Sequence, residues 1–414
     1  MKAKKIGIGL AAVLLSCGIH AQENVPLELS LDEAIEIALS ESPTIKIADQ
    51  EIKRVDYSKK SAWGALLPTL SASGQFTHFT IAGKTFQMGN ELDIPTKYQL
   101  KTGLSLQLPI ILPALWKSIQ MSNLDMQLAA EKARASKITL RNDVTKAYYN
   151  ILLAQDSYKV LQDGFALAEE NYKQAKKRFE AGIAAEYDCV AAEVQMTNLQ
   201  PQLLQVENGV AQAKLYLKVL MGVETSVKLA VQGNLSDFEN EVFGLNDKRN
   251  IDLSNNSDLK QVDIQYKQLD KAISIQNTSH LPTLVGFSSY GYTATPSRDM
   301  SLNFSGMPVT MKGQGTNMLN DGLILGLQLN IPIFNGMTNV YKTKQLKIQA
   351  RELKIQRDYV ESQLNVAALT SRDNMDKAVK QVEAAKKAGT LAQKAYDISA
   401  KRYETGMGTM IELQ

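Results

Sequence analysis

The chain has few of the residues that catalysis and metal binding use. Its 414 residues include two cysteines and three histidines, and Cys17 and His20 lie in the N-terminal segment. Cys189 is the other cysteine, so no internal disulfide can form once that segment is removed or lipidated. Neither His78 nor His280 has a cysteine or second histidine at metal-ligand spacing. The sequence therefore predicts no enzyme, no cofactor and no metal site.

Long hydrophobic runs are missing beyond the N-terminus. Three lysines precede an apolar run at residues 6–15, and a small-residue cleavage site ends at Ala21. This pattern predicts a secretory signal peptide at residues 1–21. A lipoprotein signal that ends before Cys17, with Cys17 lipidated, is the open alternative, and either signal predicts export. Because no later stretch approaches 18 uninterrupted apolar residues, no transmembrane helix is predicted.

Charge of one sign is not in excess. Lysine and arginine number 46 and aspartate and glutamate 43, a formal charge of +3. The signal segment contains three lysines and no acid, so the exported chain has a formal charge of 3 − 3 = 0. This neutral balance gives no support for a nucleic-acid partner.

Four segments alternate apolar with polar or small residues, which predicts strands. They lie near residues 69–80, 98–110, 283–293 and 323–333. Strands of about 9 to 11 residues with this period are typical of a membrane β-barrel with a polar interior, although a soluble sandwich shows the same alternation. Four strands cannot close around a channel, so a barrel would have to be shared between subunits. The segments at 81–97 and 293–321 are expected to be its long polar outer loops.

Two other segments predict helices longer than an ordinary globular domain contains. Residues near 114–179 and 337–403 have no proline, and each has one interior glycine, Gly164 and Gly389. Both segments are rich in Ala, Leu, Lys, Gln and Glu, which are good helix formers. At ~1.5 Å per residue each helix would extend roughly 100 Å. Such lengths predict coiled-coil packing.

The elements occur twice in the same order. The sequence LPTL at 67–70 recurs at 281–284, and KRFEAG at 177–182 returns as KRYETG at 401–406. A unit repeated once predicts a duplicated half-fold.

The first repeat is assigned to residues 22–245 and the second to 246–414. In the first repeat another helix follows the 177–182 turn, from about residue 184 to residue 221. The second repeat has no such segment before Gln414 and is expected to be C-terminally incomplete.

The duplicated unit, the two LPTL strand starts, the two Arg-aromatic-x-x-Gly turns and an opening LxxAIxxAL at 31–39 followed by Ser42-Pro43 resemble the TolC family of outer-membrane efflux proteins. The resemblance covers nearly all of residues 29–414. It implies a mainly α fold with a transmembrane β part. Each chain of a homotrimer would give four strands to a 12-stranded β-barrel in outer-membrane lipid, continued by a long α-helical barrel into the periplasm.

The function implied by this resemblance is that of an outer-membrane channel. It would be the exit duct of a tripartite efflux or type I secretion system and would work with an inner-membrane pump and a periplasmic adaptor. A periplasmic coiled-coil adaptor or envelope scaffold protein is the alternative, because such proteins are also exported and rich in long helices. An adaptor needs one long hairpin, however, and no amphipathic strands.

The resemblance also implies two kinds of site at the periplasmic end. The adaptor-docking tips would be Gly182, Ile183, Gly406 and Met407. The gate would comprise Arg178, Asp188, Tyr403 and Glu412. Within the gate, Asp188 and Tyr403 match the family's linking pair, and Glu412 matches an acid that narrows the pore. Gly408 departs from the pattern, since some members have a linking arginine there.

Overall fold

The structure is a computed structural model that describes residues 27–81, 84–87, 90–93, 98–239, 252–296, 300–304, 307–311, 316–405 and 407–408. The predictions made for the signal peptide, Cys17, Gly406 and Glu412 lie outside the described residues.

Two of the helices are much longer than the others. The helices are α1 (Leu31–Glu41), α2 (Pro43–Gly64), α3 (Pro113–Glu180), α4 (Glu186–Met221), α5 (Ser257–Asn277) and α6 (Thr338–Glu404). Helices α3 and α6 contain 68 and 67 residues. In the described part of the chain, no helix is both long and apolar enough to cross a membrane.

Within the ranges that the structure describes, the strands form one four-stranded sheet and three two-stranded pairs. They are β1 (Leu27–Leu29), β2 (Thr69–His78), β3 (Lys84–Gln87), β4 (Asn90–Asp93), β5 (Tyr98–Ile111), β6 (Leu229–Val231), β7 (Thr283–Pro296), β8 (Met300–Phe304), β9 (Met307–Met311) and β10 (Thr316–Asn330). The large sheet is antiparallel in the order β10-β7-β5-β2, and β1 pairs in parallel with β6. The prediction of a mainly α fold with a β part is confirmed.

The segments expected as polar loops contain strand pairs. Strand β3 pairs with β4, and β8 with β9. Strand β10 begins at Thr316, earlier than the predicted start near residue 323. Strands of four or five residues are too short to show a periodicity in the sequence.

The chain divides into two compact units, of which the first comprises Met1–Ile47, Ala135–Asn250 and Ala368–Gln414. Its largest fully buried side chains belong to Val144, Tyr148, Ile151, Leu152, Leu217 and Met221, together with Ser42. Helix α1 begins with a capping box, in which Ser30 and Glu33 exchange hydrogen bonds. Helix α4 ends at Gly222, whose φ is 72°. A Cβ there would lie 2.6 Å from the carbonyl oxygen of Glu41, so the packing as well as the backbone requires glycine.

The second unit comprises Ala48–Arg134 and Ile251–Ala367 and contains the large sheet. Its helices are joined by polar contacts. Ser257 Oγ donates to Glu131 Oε1 at 2.7 Å, and the Arg134 guanidinium donates to Glu131 and to the Asn255 carbonyl. Arg357 likewise pairs with Asp263 at 2.7 Å and connects α6 to α5.

Candidate functional site

The first candidate tip is a helix-terminating turn that requires its glycine. Gly182 has a φ of 74° and donates its N–H to the Phe179 carbonyl at 2.8 Å. The Ile183 N–H donates to the Arg178 carbonyl at 2.9 Å. This pair of bonds is a Schellman motif, which ends α3 and satisfies its last carbonyls. The turn leaves the Ile183 side chain 78% exposed.

The second candidate tip follows α6. The Met407 N–H donates to the Arg402 carbonyl at 2.8 Å, and the two residues are five positions apart, as are Ile183 and Arg178. Met407 is 71% exposed. Each repeat therefore has an exposed apolar side chain just beyond a long helix, Ile183 in the first repeat and Met407 in the second. The docking role of Gly182, Ile183, Gly406 and Met407 stays a prediction.

The structure brings two of the four candidate gate residues together. The guanidinium carbon of Arg178 lies 4.3 Å from the Tyr403 ring centre, and Arg178 Nη1 is 3.5 Å from the Tyr403 carbonyl oxygen. Tyr403 is 7% exposed and packs in a small cluster with Ala175 and Ala192, both essentially buried. The two alanines leave room for the tyrosine ring, so three helices meet closely beside the first tip.

Asp188 has a different environment. It lies in the first turn of α4, where a negative charge interacts favourably with the helix dipole. Among the contacts of the described residues, none is a hydrogen bond or ion pair of its carboxylate. Among the described residues, Tyr403 contacts Arg178, and no contact between Tyr403 and the Asp188 carboxylate is present. The gate role of Arg178, Asp188, Tyr403 and Glu412 stays a prediction.

The sequence placed Arg178 in the candidate gate but did not predict its contact with the Tyr403 ring. A signal for it exists in the repeat itself, since both turns carry an arginine followed by an aromatic residue. The two alanines that accommodate Tyr403, Ala175 in α3 and Ala192 in α4, gave no signal, because alanine recurs along both of these helices.

The large sheet has one apolar and one polar face. Pairing places Leu106 opposite Leu70, and Leu323 opposite Tyr290, on one side. This apolar face comprises Leu70, Ala72, Phe76, Leu100, Leu104, Leu106, Leu108, Ile110, Leu323, Leu325, Leu327 and Leu329. The polar face comprises Ser71, Ser73, Gln75, Gln99, Lys101, Ser105, Gln107, Ser289, Gln328 and Asn330, together with the apolar residues Val285, Phe287 and Ile324.

Aromatic residues lie at one end of the apolar face. Tyr98 stacks on Phe76 and on His78, with ring centres 5.7 and 4.8 Å apart, where β2 ends and β5 begins. The Tyr290 and Tyr292 hydroxyls are 2.9 Å apart near the same end. At the other end, where the chain enters β2 and leaves β5, the rings of Trp63 and Trp116 meet edge to face at 6.3 Å. Aromatic residues at both ends of an apolar band are typical of strands that span a membrane.

The sequence profile described as "Outer membrane efflux protein" matches residues 34–223 and 250–414. The chain belongs to this family.

Two curated relatives have similar sequences. The chain is 24% identical over 358 residues to "Outer membrane protein TolC" of Vibrio cholerae, a match that covers 85% of this chain and 76% of the relative. It is also 24% identical over 307 residues to "Probable efflux pump outer membrane protein TtgC" of Pseudomonas putida, covering 74% of this chain and 60% of that one.

Solved structures share the fold. The CmeC outer membrane channel of Campylobacter jejuni matches 92% of this chain and 78% of its own with a TM-score of 0.68 and 16% identity. The outer membrane protein VceC of Vibrio cholerae matches 92% of this chain and 88% of its own with a TM-score of 0.65 and 14% identity.

These findings confirm the predicted class. The chain is an outer-membrane efflux channel protein, located in the outer membrane and extending into the periplasm, and it is not an enzyme. The alternative of a periplasmic adaptor or scaffold protein is wrong, because the family match covers both repeats and the chain has the fold of the channels.

Proposed function

We propose that three copies of this chain form an exit duct, which receives substrates from an inner-membrane pump through a periplasmic adaptor and releases them outside the cell. The observation that carries the proposal is the large sheet, which has two differently lined faces and two edge strands, β2 and β10.

The sheet edges favour a shared barrel. Within the described residues, β2 pairs with β5 alone and β10 with β7 alone, so each has one edge left unpaired. In lipid every unpaired backbone group costs several kcal/mol. Placing β2 of one copy beside β10 of the next removes all these edges when three copies close a ring. Four strands from each chain then give a barrel of twelve.

The two faces of the large sheet indicate which side of the proposed barrel meets lipid. The leucine-rich face turns outward to the acyl chains, and the face of hydroxyl and amide side chains turns inward to water. Tyr98 and its stacked neighbours then lie at the outer membrane surface. Trp63 and Trp116 lie at the periplasmic surface, where indole rings are favoured.

The Arg178–Tyr403 contact supports a closed state at the periplasmic end. It connects the last turn of α3 to the last turn of α6. A cation–π contact of this kind contributes ~0.5–2 kcal/mol, depending on how far water is excluded. Three such contacts would make an open state rare and would still allow a bound partner to shift the population.

The exposed tips support the adaptor as a partner. Ile183 and Met407 are exposed apolar residues just beyond the ends of α3 and α6, whereas Ala175 and Tyr403 near the same helix ends are buried. An adaptor with helical hairpins could bury both side chains. The two tips of each chain would give a ring of six similar contacts.

The test is assembly followed by transport. We expect the chain, expressed with its signal, to fractionate with the outer membrane and to migrate as a trimer on gels without boiling and as a monomer after boiling. It should form channels in planar bilayers and restore efflux to a strain that lacks its own exit duct. A monodisperse monomer that stays in solution without detergent would refute the proposal. Polypeptide export without small-molecule efflux would instead assign it to a type I secretion system.

A further inference from the structure

The Phe287 ring on the polar face occupies the space that a side chain at Gly326 would fill. Phe287 of β7 is directly opposite Gly326 of β10. A Cβ built on Gly326 would lie 2.7 Å from Phe287 Cε1 and 3.2 Å from Cε2. Real Cβ atoms essentially never lie within 3.0 Å of another heavy atom, so the ring can lie across the edge strand in this position because residue 326 is glycine.

The surroundings of this ring have no charge. Phe287 lines a cavity of about 420 Å³ with the backbone and side chains of uncharged residues, which are Ser105, Leu106, Gln107, Thr283, Val285, Ser288, Ser289, Gln328 and Asn330. Most of the side chains are hydroxyls and amides, and Phe287 carries the one aromatic ring among these lining residues. The orientation of the Phe287 ring therefore determines how far side-chain atoms project from the polar face at this level of the sheet.

We infer that Gly326 determines the width of the duct at this level of the barrel. By holding the Phe287 ring flat against the sheet, it keeps three phenyl rings out of the lumen. This inference rests on the proposed trimer with its polar face inward. If a side chain at position 326 lifts the ring, three rings project towards one axis and large solutes are obstructed before small ones.

A purely structural role would look different. An aromatic ring that covers a glycine on an edge strand also stabilises a sheet and fixes its register. In that case a change at either position lowers trimer stability, and access through the barrel does not depend on solute size. The experiment must therefore compare solutes of different size at equal assembly.

The experiment measures access from outside the cell. Cys189→Ser removes the one cysteine beyond the signal segment, and Asn330→Cys places a reporter on the polar face at the periplasmic end of β10. Intact cells are treated with a small charged methanethiosulfonate and with a maleimide on a long polyethylene glycol. For Gly326→Ala, we expect the large reagent to react at least about fivefold more slowly and the small reagent at an unchanged rate, since pore diameter limits only the larger solute.

Two variants make the result specific. Phe287→Ala combined with Gly326→Ala should recover the parental rate, because no ring is left to project. Gly74→Ala is the matched control, since a Cβ there meets nothing within 4 Å, and it should change neither rate.

Each remaining outcome decides the inference. An unchanged large-reagent rate in trimeric Gly326→Ala would overturn it, and so would slowing that persists without Phe287. If Gly326→Ala does not assemble, Phe287→Trp takes its place, because an indole overfills the same space and should slow the large reagent alone. A parental reporter that resists even the small reagent would refute the inward polar face, and with it both the proposed duct and this inference.

Discussion

The Arg178 guanidinium lies 4.3 Å from the centre of the Tyr403 ring and beside the Tyr403 carbonyl. The two residues are far apart in the sequence and lie in the last turns of α3 and α6. The contact uses the ring face and the backbone of the tyrosine, and no hydrogen bond of its hydroxyl is present among the described residues. This geometry distinguishes the contact from a link through the hydroxyl.

The first prediction concerns the chemistry of this contact. Tyr403→Phe keeps the ring face and should leave single-channel conductance near the parental value. Tyr403→Ala and Arg178→Ala remove the contact and should raise conductance and admit large antibiotics that are normally excluded. Arg178→Lys should be intermediate, since a lysine keeps the charge but loses the planar group. Conductance in planar bilayers measures all four, and a large increase with Tyr403→Phe would assign the link to the hydroxyl.

A second prediction concerns the first tip. Ile183→Glu places a charge on a 78% exposed side chain and should abolish efflux, because the charge would lose its water on docking. Trimer migration should not change, since the side chain takes no part in the turn's hydrogen bonds. Ile183→Leu is the apolar control and should retain efflux. Resistance that survives Ile183→Glu would remove this tip from the adaptor interface.

The two faces of the sheet give a third prediction. Leu325→Arg puts a charge on the leucine-rich face and should cost about 2–4 kcal/mol near the bilayer centre, with loss of trimer in the outer membrane. Gln328→Arg, on the opposite face of the same strand, should assemble normally. Quantitative immunoblots of outer-membrane fractions compare the two. Equal loss in both variants would contradict the assignment of the faces.

Glu131 gives a prediction of pH dependence. Hydrogen bonds from Arg134 and then Ser257 hold the pKa of Glu131 below its ordinary value, against the opposing effect of burial. Because the folded pKa is the lower one, the ionised carboxylate stabilises the fold above the unfolded value of about 4.3. That stability is lost as the pH falls through the lower folded pKa.

Glu131→Gln should therefore lower the thermal unfolding midpoint at pH 7. The expected loss in the free energy of unfolding is ~1 kcal/mol, because Arg134 is partly exposed. The difference should disappear in strong acid. Circular dichroism in detergent measures it, with Glu169→Gln as a control whose exposed pair with Lys173 should contribute little. A difference that persists below the folded pKa would show that the ionised carboxylate is not its cause.

A buried hydroxyl gives the last prediction. Tyr148 Oη donates to the Gln232 carbonyl at 2.6 Å and lies 3.1 Å from the Leu29 carbonyl, and burial raises the pKa of this tyrosine. Tyr148→Phe removes the donor and should lower the free energy of unfolding by about 1–2 kcal/mol. Tyr187→Phe, at a 68% exposed position, should have no measurable effect. Equal midpoints for the two variants in the same melting assay would contradict the prediction.

The sequence by itself determined the class of the long elements. The period of two from Leu100 to Leu108, and the long stretches without proline, follow from local sterics and from which side chains lie on one face. Those are properties of a few consecutive residues, so the four large strands and both long helices were predictable. The short strands β3, β4, β8 and β9 were not, because four or five residues carry too little pattern.

Only the tertiary structure decided which distant residues meet. Arg178 reaches Tyr403 because α3 and α6 converge, and Phe287 covers Gly326 because β7 and β10 pair in one particular register. A shift of one residue would turn Phe287 to the other face of the sheet. The repeated arginine–aromatic pair marks both turns but does not show that Arg178 meets Tyr403, and nothing in the sequence marks the contact of Phe287 with Gly326. Each contact depends on a packing angle or a strand register that the whole helix bundle or sheet determines.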